Sequence, residues 1–368
     1  MILESLVLHH FRNYENQAIT FSPGINVIIG LNGQGKTNIL EGIAYLSFGR
    51  SFRVNDDFYL IESGEEQASI TGKFKQEKGS YDLRAIIKRE GKLLRINSLV
   101  CTRLSQFVGK ANVVLFSPSD LQYFEGAKQL RRRQLDMEIG KLDVSYLESL
   151  SRYHVILKQR NALLKNEIVD ADMLGILTQQ LIDIQIPLVI KRNAFVEELS
   201  PEVNKYYQQL TQSQDQITMN YQGIKGNNAN DLAAELNDKY QNSYHRDQAL
   251  RMTSYGVHRD DVNFSMNDHE VAHIASQGQK RLILLAYKMA LLDYVYKKSG
   301  ELPILCLDDI FSELDAEKIK TMFKWMNPRI QVFITTTEIA HMELERTFSL
   351  YTVTNGVIRR EGDKSNGK

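Results

Sequence analysis

Three short stretches of this 368-residue chain hold residue types that could do chemistry together. The first is GLNGQGKTN, residues 30 to 38, where Gly30, Gly35, Lys36 and Thr37 match the spacing G-x-x-x-x-G-K-[ST]. Glycines at these places let successive backbone N–H groups turn inward around an anion. Lys36 adds a point charge for the outer phosphates of a nucleoside triphosphate, and the Thr37 hydroxyl suits Mg²⁺. Leu31, Asn32, Gly33, Gln34 and Asn38 complete the loop and are candidate nucleotide-binding residues with it. The second stretch is LPILCLDDIFSELD, in which an apolar run ends in Asp308 and Asp309. Asp308 is expected to hold Mg²⁺ through water, and Asp309 to face the terminal phosphate and orient an attacking water. The third is SQGQKR, residues 276 to 281, where Ser276, Gly278 and Gln279 open a long amphipathic pattern. A helix start favours anions. Alone, that start reads equally as an ordinary cap. Beside a complete phosphate loop elsewhere in the chain, it suggests a second phosphate contact made in trans, with two copies sandwiching two nucleotides. Lys36, Asp308, Asp309 and Ser276 are thus the candidate catalytic set.

Elements to position these residues are legible around them. INVIIG before the loop predicts a strand, and ILEGIAYL after it a helix whose positive end faces the loop. Residues 1 to about 95 alternate strands and turns, in LESLVLHHF, QAITF, QASITGKFKQ, SYDLRAIIKRE and KLLRIN. NVVLFSP is a further strand, stopped by Pro118. From Asp120 the period becomes helical. Leu142, Tyr146, Leu150, Tyr153 and Leu157 share one face, and Leu181, Ile184, Leu188 and Phe195 another, with polar KNEIVDADML between them. That pattern predicts a pair of long antiparallel helices. SQDQITMNYQGIKGNNAND is expected to be a strand and a polar loop, and a helix is expected from Gln277. PILCLDDIF and RIQVFITTT are buried strands, and the chain ends in a hairpin turning at Asn355-Gly356, followed by a tail without fixed structure. The fold class is therefore α/β. Residues 1–118 and 275–368 would build one nucleotide-binding lobe, and residues 119–274 a largely helical insertion.

Composition bounds the partners. Lys+Arg and Asp+Glu are both 45, so overall charge cannot drive nucleic-acid coating and any such contact needs a local patch. Cys101 and Cys306 lie in apolar surroundings and read as reduced packing residues, not a disulfide or metal pair. The N-terminal MILESLVLHHFRNYEN has no secretion-signal pattern, and no apolar run reaches the roughly 20 residues that span a bilayer. A cytoplasmic protein without a membrane partner is expected. Arg131, Arg132 and Arg133 form the densest basic run, either facing DNA or solvated and paired with Asp136 and Glu138. Lys158, Arg160 and Lys165 lie on a helix and either line a DNA-holding dimer cleft or form an ordinary solvated face. Arg50 and Arg53 in GRSFR could reach nucleotide or DNA, and His258 with Arg259 could do so or form an internal ion-paired turn.

The phosphate loop, S-x-G-Q element, D-D strand and SELD together resemble the SMC-like branch of ABC-type ATPase heads, here with an inserted helical arm. More closely, six stretches resemble the motifs of the RecF family of bacterial recombination mediators, in the same order. They are FRNYENQAITFSPGINVIIGLNGQGKTNILEGIAYLSFGRSFR, VLFSPSDLQYFEGAKQLRRRQLD, GVHRDD, SQGQKRLILLAYKMA, LCLDDIFSELD and VFITTT. The resemblance spans most of the chain and is weakest from about 145 to 245. It implies ATP and Mg²⁺ as cofactors, an ATP-dependent homodimer, slow hydrolysis, and binding to double-stranded DNA at gaps and single-strand/double-strand junctions. It also implies action with RecR and RecO in loading recombinase for repair, replication and the SOS response, in the nucleoid-associated cytoplasm. Carried onto this sequence, Gly30 to Thr37 hold nucleotide, Asp308 the metal, Asp309 the water, and Ser276 the partner's nucleotide. Ser312 to Asp315 would lie along the dimer interface, and Gln122 or Asp120 would fill the place of the family's loop glutamine. Transport-type ABC ATPases carry Glu at the place of Asp309 and His after the next strand, where this chain has Thr335, Thr336 and Thr337. Val257 stands where the family pattern has Pro. Val257 is expected to have only a local backbone effect, whereas Asp309 and the threonines favour a nucleotide-gated switch over a fast motor; an ABC transport ATPase subunit is the other reading.

Overall fold

A computed structural model of the chain describes residues 1–77, 79–224, 226, 228–310, 314–338 and 346–364. The elements begin with β1 (Ile2–Phe11), β2 (Tyr14–Thr20), β3 (Ile25–Ile29), α1 (Lys36–Phe48), β4 (Gln67–Gln76) and β5 (Gly79–Lys88). Next come β6 (Gly91–Ile96), β7 (Leu99–Val100), α2 (Leu104–Phe107), β8 (Val113–Phe116), α3 (Gln122–Glu125), α4 (Lys128–Leu142) and α5 (Val144–Leu163). Then follow α6 (Ala171–Thr211), β9 (Ile217–Gln222), α7 (Ala229–Leu250), β10 (Asp261–Met266), β11 (His269–Glu270), α8 (Val271–Ile274) and α9 (Gln277–Ser299). The chain closes with β12 (Ile304–Leu307), a helix at Ala316–Trp325, β13 (Val332–Thr336), β14 (Phe348–Thr354) and β15 (Val357–Lys364). Contacts divide it into one unit of Met1–Leu121, Lys205–Gln214 and Ser276–Lys368, and another of Gln122–Asn204 and Asp215–Ala275. The segment Lys205–Gln214, assigned from sequence to the insertion, groups with the first unit.

The first unit holds two six-stranded sheets. One runs β15-β14-β3-β13-β12-β8, with the five strands from β14 to β8 parallel. Parallel strands are covered on both faces, which is why β8 and β12 are wholly apolar and wholly buried. β13 lies between β3 and β12, pairing Thr335 with Ile28 and Ile334 with Leu307. The loops leaving β3 and β12 therefore emerge side by side at the strands' carboxyl ends, where ligands of such sheets bind. The other sheet is antiparallel, in the order β2-β1-β4-β5-β6-β7. Its residues alternate, and Leu6, Leu8, Ile70, Leu83, Ala85 and Ile87 share one buried core with Ile39, Ile43 and Leu46 of α1. Gln331 ties the two sheets, accepting from the Leu3 N–H at 2.7 Å and donating to the carbonyls of Leu3 and Ser22 at 3.0 and 2.7 Å. Cys306 is buried in β12, Cys101 is half-buried, and both are free thiols.

The second unit packs α3–α8 with a three-stranded sheet, β11-β10-β9. α5 and α6 are the two long helices expected, joined across residues 164–170. α6 runs for 41 residues with Pro187 and Pro201 inside it. Its most apolar 18-residue window has a mean hydropathy of 1.5, enough by length and composition to cross a bilayer, with 44% of the window buried. That corrects the expectation that no such segment exists; scattered Gln and Asp break the run by eye but not on average. Its buried positions, including Leu174, Leu177, Leu181, Ile184 and Leu188, recur three or four apart, as the packed stripe of a core helix does. Arg192, 1% exposed, knots the unit. It donates to Asp136 at 2.8 Å, Asp260 at 3.1 Å, the Val257 carbonyl at 2.8 Å and the Tyr146 hydroxyl at 2.9 Å. α7 falls within the largely helical insertion expected from sequence, and β10 lies outside the sequence expectations.

Candidate functional site

The loop after β3 takes its shape from glycine. Gly35 caps α1 with φ 112°, in the left-handed region, and no side chain caps this helix start. The first N–H groups of α1 therefore have no side-chain acceptor there and face the loop with the positive end of the helix dipole. A Cβ on Gly30 would sit 2.5 Å from the Val353 carbonyl oxygen. Lys36 curls back inside the loop and donates from Nζ to the carbonyls of Gly30 and Leu31 at 2.6 and 3.0 Å. Burial pushes its pKa down, while Asp309 and Asp308 oppose that shift.

The register of β12 against β13 brings Asp308 beside Thr335. Thr335 Oγ1 donates to Asp308 Oδ1 at 2.7 Å and accepts the Asp309 N–H at 3.0 Å. From the other side Thr37 Oγ1 donates to the same carboxylate, 2.9 and 3.1 Å from its two oxygens. Burial pushes the Asp308 carboxyl up, and the hydrogen bonds from Thr335 and Thr37 pull it back. Asp309 has φ 50°, an unusual left-handed backbone for a residue with a side chain. A cavity of about 280 Å³ joins these groups, with Lys36, Thr37, Asn38, Arg53, Asp308 and Asp309 in its wall.

Sequence reasoning missed the brace behind the loop. Asn13 donates to the Gln34 carbonyl at 2.9 Å and accepts from Asn38 at 2.8 Å; the Tyr14 hydroxyl donates to the Gly35 carbonyl at 3.0 Å. The terminal hairpin closes on the same place, its Asn355 N–H reaching Gln34 Oε1 at 2.5 Å. On α1, fully buried Glu41 accepts two bonds from Arg12, at 2.8 and 2.9 Å, one from Ser51 at 2.5 Å and one from Arg53 at 3.4 Å. Arg53 also donates to Asn38 at 2.8 Å. An Arg and a Glu 29 positions apart carry no local signal; only the FRNY stretch marked the place.

Ser276 stands apart from this cavity. It caps α9, accepting the Gln279 N–H at 3.2 Å while Gln279 Oε1 accepts the Ser276 N–H at 2.9 Å. Ser276 and Gly278 are exposed, and neither they nor Gln279 line the Lys36 cavity. Asp120 accepts the Ser117 N–H at 3.0 Å and pairs with Lys288 at 3.3 Å, and Gln122 is exposed at the start of α3. Neither lines the cavity. Of the stretch Ser312 to Asp315, Ser312 and Glu313 lie outside the described residues, while Asp315 caps the next helix through the Lys318 N–H at 2.9 Å.

Comparison with known proteins settles the lineage. The family described as "RecF/RecN/SMC N terminal domain" matches residues 2–359. The DNA replication and repair protein RecF of Latilactobacillus sakei is 38% identical over 98% of this chain and 99% of its own length. That of Halalkalibacterium halodurans is 36% identical over 98% of this chain and 100% of its own. The chain belongs to the RecF family. A solved structure of the recombination mediator RecF with ATP, from the RecFOR pathway, superposes with a TM-score of 0.91 at 28% identity, covering 98% of this chain and 97% of that one. An SMC head bound to the C-terminal winged-helix domain of ScpA shares the fold, with a TM-score of 0.57 at 17% identity over 100% and 99% of the two chains. The fold is thus the SMC-like ABC-type ATPase head of the RecF family.

Within this RecF-family head, several basic candidates prove structural. Arg131 is spent on Asp261, at 2.8 Å through two nitrogens, and on the carbonyls of Tyr123 and Gly126. Arg132 donates to the Asp260 carbonyl at 2.7 Å. Arg160, 1% exposed, donates to Asp247 and Thr253, both at 2.8 Å, and to Thr178 at 2.9 Å. It is corrected from a DNA candidate to a buried ion pair. The sequence partners proposed for this run are also taken, since Asp136 binds Arg192 and Glu138 pairs with Lys141 at 2.5 Å. Arg133 is half-buried, and Lys158 and Lys165 are exposed beside a cavity of about 400 Å³. In GVHRDD the His258 ring bonds Tyr153 at 2.6 Å and burial lowers its pKa to about 4, while Arg259 is exposed and donates to the Thr253 carbonyl at 3.4 Å.

Proposed function

We propose that this chain is an ATP-dependent DNA-binding protein that dimerises around nucleotide and acts as a slow switch in DNA repair. The observation that carries the reading is the joined set of Lys36 in the loop and Thr37–Asp308–Thr335 beneath it. A hydroxyl and a carboxylate side by side suit a hard cation, and open N–H groups at a helix start suit phosphate, so the residues fit Mg²⁺ and a triphosphate. Thr37 and Asp308 would hold the metal, and the bound metal and phosphates would supply charge neutralisation at the reacting oxygens. Lys36 stabilises negative charge from within the loop. The Asp309 carboxylate, in the cavity wall, orients the water. Gly30 to Asn38 line the phosphates, and Ser276, Gly278 and Gln279 touch the nucleotide held by a second copy.

The switch character follows from Thr335. Its hydroxyl is committed to Asp308 and to the Asp309 N–H, and a threonine hydroxyl so engaged is a poor proton relay. Exposure of Ser276 away from its own cavity supports contact in trans. The relatives' name and the RecFOR pathway support the finer readings. These are gapped and junction DNA as substrate, RecR and RecO as partners, recombinase loading, and a place in the cytoplasm at the nucleoid. Light scattering with and without ATP, in the presence of a gapped duplex, tests the proposal. The wild type should double in mass with ATP while Lys36→Met stays monomeric; a Lys36→Met chain that dimerises with ATP and holds DNA as before refutes it.

A further inference from the structure

We propose that the outward face of the antiparallel sheet grips the phosphate backbone of DNA through a cross-strand arginine pair, Arg84 on β5 and Arg95 on β6. This inference rests on the DNA-binding reading above and names where contact is made.

The two residues are direct partners in the register. They lie in a row of facing residues, Ala18–Val7–Thr71–Arg84–Arg95–Val100. Their strand neighbours Leu83, Ala85, Ile87 and Leu94 are buried on the core side, so both arginines stand on the opposite face. Like charges directly opposite destabilise a sheet. A usual remedy is an intervening carboxylate. No carboxylate is bonded to the pair: no hydrogen bond or ion pair reaches either guanidinium among the described residues, and the buried Nε of Arg95 has no acceptor. The next two rows on one side, Asn16–His9–Ser69–Ile86–Leu93 and then Gln67–Lys88–Gly91, add Lys88 and no acid. Asp82 lies one row to the other side, opposite Lys73, which pairs with Glu4 at 3.7 Å.

Nucleic acid fits this face better than an acidic protein. The chain is neutral overall, so two facing guanidiniums that no carboxylate bonds are a local exception of the kind a phosphate backbone requires. Guanidinium forks match phosphate oxygens, and the hydroxyls and amides interleaved here, on Thr71, Ser69, Asn16 and Gln67, also bind phosphate and sugar. A flat sheet face offers nothing to enter a groove. The contact positions DNA without reading its bases.

The test is fluorescence anisotropy of the full chain with ATP and a gapped duplex over a range of salt. The double variant Arg84→Gln/Arg95→Gln should bind more weakly on every sequence, and its salt slope should fall by about 2 units, one per lost phosphate contact. Arg84→Glu should bind weakly yet melt at a higher temperature, because opposite charges then face each other. A double variant that keeps the wild-type slope overturns the inference and leaves the pair to an acidic protein surface. Arg84→Glu melting lower than wild type overturns it as well, since the arginines would then be structural. A wild-type chain that binds no gapped duplex refutes the DNA-binding reading itself, and this inference with it.

Discussion

Thr335→Val isolates the bond that holds the acidic strand in place. The substitution keeps the branched shape in a buried strand and deletes one hydroxyl. Two bonds go with it, the donation to Asp308 at 2.7 Å and the acceptance of the Asp309 N–H at 3.0 Å. Asp308 is 6% exposed, so water replaces the lost donor poorly. A hydrogen bond to a charged group contributes roughly 1.5–3 kcal/mol, and a stranded buried N–H costs roughly 1–3 kcal/mol. Relaxation recovers part of this, leaving a loss of about 2–4 kcal/mol. In a chain of this size that lowers Tm by about 3–5 °C. The linkage has a definite sign. Burial already raises the Asp308 carboxyl, and the Thr335 bond opposes that rise. Removing the hydroxyl therefore raises it further. A carboxyl raised in the fold costs stability above its folded pKa, and the cost fades as pH falls through that pKa. The Tm gap between Thr335→Val and wild type should thus narrow on acidification. Mg²⁺-dependent nucleotide affinity should also drop in the variant, as the carboxylate is less often ionised. Calorimetric melting from neutral to acidic pH, with nucleotide titration at each pH, measures both. A Thr335→Val protein with wild-type Tm, and a gap that does not change with pH, refutes this account of the strand.

Four further outcomes follow from the same geometry. Asp309→Asn should bind ATP and dimerise but release phosphate at least tenfold more slowly; turnover at the wild-type rate removes this carboxylate from the chemistry. Asn13→Ala takes one donor and one acceptor from the phosphate loop, so nucleotide Kd should rise about tenfold, the equivalent of roughly 1.4 kcal/mol, in an equilibrium titration. Asp247→Asn leaves the buried Arg160 charge uncompensated and should cost about 3–5 kcal/mol in urea unfolding, with no change in the salt slope of DNA binding. His258 is held neutral by burial with a pKa of about 4, so the unfolded chain takes up its proton first as pH falls from 6.5. Stability should decline between those pH values by up to about 3 kcal/mol, and His258→Gln should abolish that part of the decline.

What the sequence disclosed and what it hid divide along one physical line. Strand and helix patterns are local, so β3, α1, β12, β13 and the terminal hairpin were legible from periodicity and turn residues. The phosphate loop was legible because glycine positions encode backbone shape directly. Charge is not local in this sense. Arg131 and Arg160 looked available because a sequence shows a cation but not its burial, and each is consumed by an aspartate 130 or 87 positions away. The brace around Glu41 was hidden for the same reason, since Arg12 meets α1 only after β1 has paired on both sides. Arg84 and Arg95 show the reverse error. Eleven positions apart in an unremarkable stretch, they become neighbours only through the register of β5 and β6, and no dense basic run marks them. In a chain with no net charge, the cations that matter for an anionic partner are those the fold leaves unneutralised. The arginine-rich helix start at 131–133 is largely paired off, whereas the sheet face tolerates two facing guanidiniums at a cost in stability that an external anion would remove.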